Sequence, residues 1–384
     1  MGILAVNAGS SSLKFALYPQ SGKSDIASAL LSGSIQGLES QSPPSLSYQV
    51  MDGPVPAQRQ VQQLSVPPDG SSFETALEAL SLLVKKALNG RALQAVAHRV
   101  VHGGEWYRAS VLVDEQVMAR LQSLSELAPL HQPHNLEGIV RFQTLYPGVP
   151  QVACFDTAFH ASLPPQEYLF ALPQSISQQG VRRYGFHGLS YQYLQSQLRQ
   201  LSKRAEQRVL MAHLGNGASL CAMQAGQSLA TTMGFSALEG LMMGTRSGAI
   251  DPGVLLYLLD RGMSLQALTQ MLYQQSGLLG VSGQAADMRS LRASTDAQAQ
   301  LAIHMFTHRV VREAGAMTAC LQGLDVMVFT GGIGEHDAQL RLDVTAQLAY
   351  LGVQIDASLN AQATGSSIMR IDAPNSSVEV WVIP

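Results

Sequence analysis

The chain opens with two short apolar runs, Ile3 to Val6 and Leu13 to Tyr18, joined by a turn of small residues. Runs of this length bounded by turn residues predict a buried strand and a second strand returning beside it. Residues 32–72 are rich in Ser, Pro, Gln and Gly, with extended pieces such as Leu46 to Met51, and predict a turn-rich β excursion. Ser71-Ser72-Phe73-Glu74 then has the form of a capping box. After it Phe73, Leu77, Leu80, Val84 and Leu88 recur at helical spacing until Asn89-Gly90. That pattern predicts an amphipathic helix with a left-handed stop. A strand over Ala95 to Val101, a helix near Asp114 to Leu127, a second helix from Asn135 and a strand over Val149 to Phe155 complete the first half.

The second half repeats this grammar. Val209 to Leu214 is a strand, Gly215-Asn216-Gly217-Ala218-Ser219 a small-residue turn, and a returning strand starts at Leu220. Ala297 to Gln322 predicts a long helix and Asp325 to Phe329 a buried strand. That strand runs into Thr330-Gly331-Gly332-Ile333-Gly334-Glu335 and a further helix, an order that points main-chain N–H groups at a phosphate. Val378 to Ile383 reads as a last strand. Two α/β halves, each with a phosphate-binding turn, imply a nucleotide held between them.

Composition narrows the class. With 384 residues the chain exceeds one ordinary core, so two domains are expected, 1–155 and 156–384. Hydrophobic residues are 46% and charged residues 13%, as in a compact soluble protein, and the net charge of −3 argues against nucleic acid as a partner. Membrane spans and a secretory leader are not expected, which leaves a cytoplasmic location. Cys154, Cys221 and Cys320 read as buried thiols in a reducing compartment, with no disulfide framework or zinc site.

Several residues could carry chemistry. Between the first two strands, Asn7, Gly9 and three serines form either a plain hairpin turn or an anion-binding one. Asn7 offers an oxygen suited to hydrated Mg²⁺ and Lys14 a point charge. Arg99 sits within the strand that ends at Gly103-Gly104 and needs a buried carboxylate partner or a cleft-facing position. Arg246 lies between Gly244 and Gly248. Asp156 follows a strand, where it serves as an N-cap or as a catalytic group. His187, in Tyr184-Gly185-Phe186-His187-Gly188, is either a core histidine or a positioned donor. His131 and His134 are separated by Pro133 and make a poor zinc pair.

Taken together these strings resemble the acetate kinase family of short-chain carboxylate kinases. The matching segments are Asn7 to Phe15, His98 to Glu105, Ala128 to His131, Phe155 to His160, Arg183 to Gly188, His213 to Gly217, Gly240 to Gly248, Asp287 to Arg289 and Phe329 to Glu335. The resemblance implies two related α/β domains of the actin-like ATPase fold, shared with sugar kinases and heat-shock ATPases, with nucleotide in the interdomain cleft. It implies a homodimer that transfers the γ-phosphoryl of ATP, with Mg²⁺ or Mn²⁺, to acetate or propionate and gives an acyl phosphate reversibly. The alternative is a nucleotide-binding paralogue with weak or no kinase activity. A kinase of alcohols would need a general base, a task Asp156 could take.

The roles implied follow residue by residue. The first domain is the carboxylate and metal side, the second the nucleotide side. Arg99 orients the substrate carboxylate, and Val101, Leu130 and Phe186 wall its alkyl end. Arg246 and His187 stabilise the transferring phosphoryl, and Asp156 is the essential acidic residue. Asn7 helps hold the metal and Lys14 contacts phosphate. His213, Leu214, Gly215, Asn216, Gly217, Asp287, Met288, Arg289, Gly332, Ile333, Gly334, Glu335 and His336 line the nucleotide. Three positions depart from the family pattern: Ala249 stands for an aspartate, Ala237 for a proline at the alkyl pocket, and His336 for an asparagine. The family pattern also runs on past Val382-Ile383-Pro384 to a metal-associated glutamate, so the second metal ligand stays unassigned.

Overall fold

The structure, a computed structural model, describes residues 1–9, 11–20, 28–38, 43–52, 55–56, 58–67, 71–128 and 131–384. It divides into two compact units, Met1–Ala158 and Phe159–Pro384.

Unit 1 holds a nine-stranded sheet among the described residues. Its strands are β1 (Gly2–Ala8), β2 (Ser12–Pro19), β3 (Leu31–Gln36), β4 (Ser45–Asp52), β5 (Val55–Pro56), β6 (Gln60–Gln63), β7 (Leu93–Val100), β8 (Val111–Leu112) and β9 (Gln151–Phe155). The order is β5-β4-β3-β2-β1-β7-β9-β8, with β6 on β4. β1 pairs antiparallel with β2 and parallel with β7, which pairs parallel with β9. Alternation in β1 buries Leu4, Val6 and Ala8 on one face. There they meet Leu13, Phe15 and Leu17 of β2 and Leu77, Leu80 and Val84 of helix α1 (Ser72–Leu88).

Unit 2 holds a six-stranded sheet among the described residues: β10 (Val209–Leu214), β11 (Ala218–Gln224), β12 (Gln227–Thr231), β13 (Val326–Thr330), β14 (Met369–Arg370) and β15 (Glu379–Val382), in the order β12-β11-β10-β13-β15-β14. β10 pairs antiparallel with β11 and parallel with β13, which pairs parallel with β15. The central path of unit 1, β3-β2-β1-β7-β9, therefore recurs as β12-β11-β10-β13-β15 with the same directions. β13 is buried at every residue, the hydrophobic run of a strand covered on both faces.

The helices depart from the sequence expectations in physical detail. α1 stops at Asn89, whose φ of 44° is left-handed, but Ser71 makes no side-chain cap bond. Helix α2 (Gln132–Leu145) starts before Asn135, because Pro133 fits a first turn whose N–H groups need no partner within the helix. Cys320, expected to be buried, is exposed on the outer side of helix α3 (Ala297–Leu321), with Sγ 3.8 Å from Glu167 Oε1.

Two histidines of unit 1 are folded in neutral. His98 and His102 are buried, and burial pushes each down from 6.5 to about 4. A Gln151 side chain 2.7 Å from His98 Nε2 opposes that shift only in part. Between those values the unfolded chain takes up protons that the folded chain refuses, so stability is complete above pH 6.5 and falls towards pH 4. Urea unfolding at pH 7.5 and pH 5 is expected to show a loss of about 2 kcal/mol per histidine. His98→Gln should lose less than the wild type over that interval; an equal loss would exclude His98 as a source.

Candidate active site

In unit 1 three neighbouring parallel strands, β1, β7 and β9, bring their C-terminal ends together. Asn7 and Arg99 are penultimate in β1 and β7, and Asp156 follows the last residue of β9. Arg99 Nε donates to both Asp156 oxygens at 3.1 Å, Nη2 donates to Oδ2 at 2.5 Å, and Nη1 lies 3.4 Å from Asn7 Oδ1. Asp156 is buried while 36% of the Arg99 side chain remains exposed. The Asp156 charge holds the guanidinium above its ordinary pKa. An anion can thus reach a cation whose plane is fixed from behind by a buried carboxylate.

Lys14 is the direct cross-strand partner of Asn7 and is exposed. The Gly9 N–H is committed to Ser12 O at 2.8 Å, closing the turn. Leu130 lies outside the described residues. Val101 is buried, and two amides that sequence reasoning passed over hold its surroundings. Asn135 accepts from Val101 N at 3.0 Å and donates to Ala8 O at 2.8 Å. Gln132 accepts from His102 N at 3.2 Å and donates to His102 O at 3.0 Å. The first turn of α2 thereby ties the ends of β1 and β7 together. The signal was two amide residues three apart on one helix face.

In unit 2 His187 stands at the N-cap of helix α4 (Gly188–Leu201) with a left-handed φ of 61°. Gly185 before it has φ +74°, and a Cβ there would lie 2.6 Å from the ring of His160. His160 Nε2 donates to the carbonyl of the buried Phe186 at 3.0 Å. His187 Nδ1 is 2.9 Å from Ser219 Oγ, and its ring stacks on His213 at 4.2 Å between centroids. His213 Nδ1 in turn meets Ser190 Oγ at 2.9 Å.

The loop carrying Arg246 folds onto the β10–β11 turn. Gly244 N donates to Asn216 O at 3.0 Å, and Arg246 Nη1 donates to Ala237 O at 2.6 Å. The alanine at 237 therefore orients Arg246 through its carbonyl, which any residue type supplies. A Cβ on Gly217 would lie 2.8 Å from Arg246 Nη2 and 3.3 Å from His187 Nε2. Two nitrogens thus face one small-residue turn.

A cavity of about 560 Å³ gathers Asp287, Met288, Arg289, Gly332, Ile333 and His336, joined by Arg292, Asp337 and Ala338. Leu214, Gly215, Asn216 and Gly217 sit at the β10–β11 turn and do not line it. The carbonyls of Gly334 and Glu335 accept from Arg341 Nη1, each at 2.8 Å. Arg341 is fully buried, and its other nitrogens donate to Asn360 Oδ1, Asn360 O and Ala363 O. Glu335 turns its carboxylate to Gly331 N at 2.7 Å, so that N–H is not presented to a ligand. Asp287 caps the helix after it by accepting from Ser290 N at 2.8 Å, which holds its carboxyl below the ordinary range.

An aligned, part-exposed guanidinium on one unit, a cavity and a convergent Arg–His pair on the other, and a duplicated sheet define a phosphotransferase of the actin-like ATPase type. The sequence profile of the Acetokinase family matches residues 2–384, and the chain belongs to that family. It is similar to acetate kinase of Rhodopseudomonas palustris, 46% identical over 385 residues that cover 100% of this chain and 94% of that protein. Among solved structures it is similar to a propionate kinase of Francisella tularensis, at TM-score 0.89 and 36% identity with 100% and 95% of the two chains covered. Porphyromonas gingivalis acetate kinase follows at TM-score 0.85 and 34% identity, covering 100% and 96%. The fold and family read from the sequence motifs are borne out.

The Gly217 geometry makes a direct prediction. Its φ is not left-handed, so Gly217→Ala fits the backbone and intrudes only on Arg246 and His187. Turnover should fall by about 100-fold, the scale of a catalytic group displaced by roughly 1 Å, while the thermal midpoint stays close to wild type. Steady-state kinetics beside a thermal melt check this; unchanged turnover in a folded variant would contradict the placement.

Proposed function

We propose that this chain catalyses reversible, Mg²⁺-dependent transfer of the γ-phosphoryl of ATP to acetate or propionate, giving ADP and the acyl phosphate. The observation that carries this reading is Arg99, a partly exposed guanidinium aligned by a buried Asp156. An acceptor carboxylate is already ionised at neutral pH, so the site needs no base and must instead bring one anion against another. Arg99 supports that by binding the acceptor, beside the buried apolar wall of Val101. Arg246 and His187 supply fixed donors on the phosphoryl side, where charge develops on the equatorial oxygens. One carboxylate oxygen forms a bond to phosphorus while the bond to the β-phosphate oxygen breaks, and ADP leaves with that electron pair. No proton moves.

The cavity of Asp287, Met288, Arg289, Gly332, Ile333 and His336 suits the nucleotide's sugar and base. Among the described residues no group of three or more His, Cys, Asp or Glu could hold a metal. The Asn7 oxygen beside Lys14 nonetheless fits a Mg²⁺ that keeps waters and phosphate oxygens as most of its ligands. Such an ion would neutralise phosphate charge. The paralogue reading is not favoured, since Arg99, Asp156, His187 and Arg246 are all present and engaged.

A second copy of the chain is the partner this reading includes. Helix α5 (Pro252–Asp260) is apolar along its length yet has no buried residue, and Val254, Leu256, Tyr257 and Leu259 are all exposed. Single exposed apolar residues are ordinary, but a contiguous helix of them marks an interface. Among the described residues no helix is long and apolar enough to cross a membrane.

Two outcomes test the proposal. Acyl phosphate trapped with hydroxylamine should form from ATP, Mg²⁺ and acetate or propionate and vanish in Arg246→Ala. Butyrate should be separated from propionate by no more than ~1–3 kcal/mol in transition-state binding. ATP binding without carboxylate-dependent product would overturn the kinase reading in favour of the paralogue. Light scattering should give twice the chain mass, with Leu256→Asp reverting to the monomer; a monomeric wild type would remove α5 as a dimer face.

A further inference from the structure

We infer that Tyr191 and Ser219 are positioning residues that hold His187 in one tautomer, with its hydrogen on Nε2. The inference rests on the reading of His187 as a phosphoryl-side donor and adds what makes it a donor. Tyr191 lies one turn after His187 on α4, and both side chains reach the same hydroxyl, Ser219 Oγ on β11. Tyr191 and Ser219 are each fully buried. Burial holds the phenol well above its ordinary pKa, so it keeps its hydrogen.

The direction of the chain follows from satisfying every buried hydrogen. Among the described residues Ser219 Oγ is the hydrogen-bond partner seen at the buried Tyr191 hydroxyl, so the phenol's own hydrogen is given to Ser219. Ser219, accepting from Tyr191, gives its hydrogen to His187 Nδ1. That nitrogen must then be bare, and the ring's hydrogen sits on Nε2. With a hydrogen on Nδ1, Ser219 would face two donors and its own hydrogen would be stranded in a dry site, an arrangement that buried hydroxyls avoid.

The consequence is chemical. Nε2 is the atom that faces the Gly217 turn beside Arg246. As N–H it donates to an anion. With its lone pair committed, it is neither a base nor a nucleophile for phosphorus. His187 therefore works as a preset dipole whose orientation needs no rearrangement when phosphoryl charge develops. The stacked His213 ring and the left-handed backbone at His187 fix the ring plane, while the hydroxyl relay fixes which nitrogen bears the hydrogen.

The test is ¹⁵N-histidine NMR of the full chain, with the His187 signal identified by its loss in His187→Gln. The wild type should show the Nε2–H form alone. Ser219→Ala should show mixed tautomers and a kcat lower by about 10- to 100-fold, the effect of removing an outer hydrogen-bond partner, with KM for the carboxylate little changed. Ser219→Thr, which keeps the hydroxyl, should restore both. Tyr191→Phe should mix the tautomers while leaving Ser219 in place. A wild-type signal from Nδ1–H would overturn the inference, as would a folded Ser219→Ala with a single tautomer and full kcat. The spectra of the resting protein decide this even where no carboxylate is phosphorylated, so the two readings fail separately.

Discussion

The parallel pairing of each unit's first strand with a strand distant in sequence, β1 with β7 and β10 with β13, is the constraint on which the site hangs. Parallel strands point the same way, so their carboxyl ends gather at one edge of the sheet, where the ladder stops and main-chain groups need other partners. Antiparallel pairs scatter those ends. In unit 1 this gathering sets Asn7, Arg99 and Asp156 on three adjacent strand ends, although they are 92 and 57 residues from one another along the chain. One face of these strands is fully covered, with Leu4, Val6 and Val96 essentially out of solvent, and the polar ends sit on the other. A guanidinium carried on such a strand is placed by the sheet and only finely aimed by its partner.

Charge is used sparingly in this molecule, with 13% of residues charged, and each buried charge is answered locally. Asp156 is covered and bonded by three contacts from Arg99. Arg341, wholly buried, forms no salt bridge among the described residues and satisfies its hydrogens on four carbonyl oxygens and the side-chain oxygen of Asn360. The two solutions suit different tasks. A carboxylate partner leaves Arg99 with a face still able to attract an anion, whereas a cage of carbonyls fixes the path of the chain beside the Gly332–His336 cavity.

Much of this was legible in the sequence because it is local. The hairpin turns at residues 9–12 and 215–217, the apolar face of α1 with its Asn89 stop, and the glycines around Arg246 are statements about neighbouring residues. The motifs then carried the family and the fold. What stayed hidden depends on distant partners. Asn135 reads as an ordinary polar residue until its amide is found bonded to a carbonyl 127 positions away. Glu335, which sits among glycines as a nucleotide-lining residue would, turns back to Gly331 instead. Cys320 looked like a core thiol because helix spacing alone does not say which side of a long helix faces the sheet.

The duplicated topology also explains why the two units carry different chemistry at the same place. In each hairpin the cross-strand pair next to the turn is apolar, Ala8 with Leu13 and Leu214 with Ala218, and the pair behind it is polar, Asn7 with Lys14 and His213 with Ser219. Cross-strand partners share a face, so each polar pair is presented together at the strand end. In unit 1 the pair is an amide and an ammonium, suited to solvated ions and exposed at Lys14. In unit 2 it is an imidazole and a hydroxyl, drawn inward and bonded to Ser190 and His187. One register position, used twice, leaves an exposed ammonium in one half and a hydrogen-bond relay with a buried hydroxyl in the other. The difference lies in what packs against it: Lys14 of unit 1 is exposed, whereas α4 sets the buried Tyr191 hydroxyl on Ser219 in unit 2.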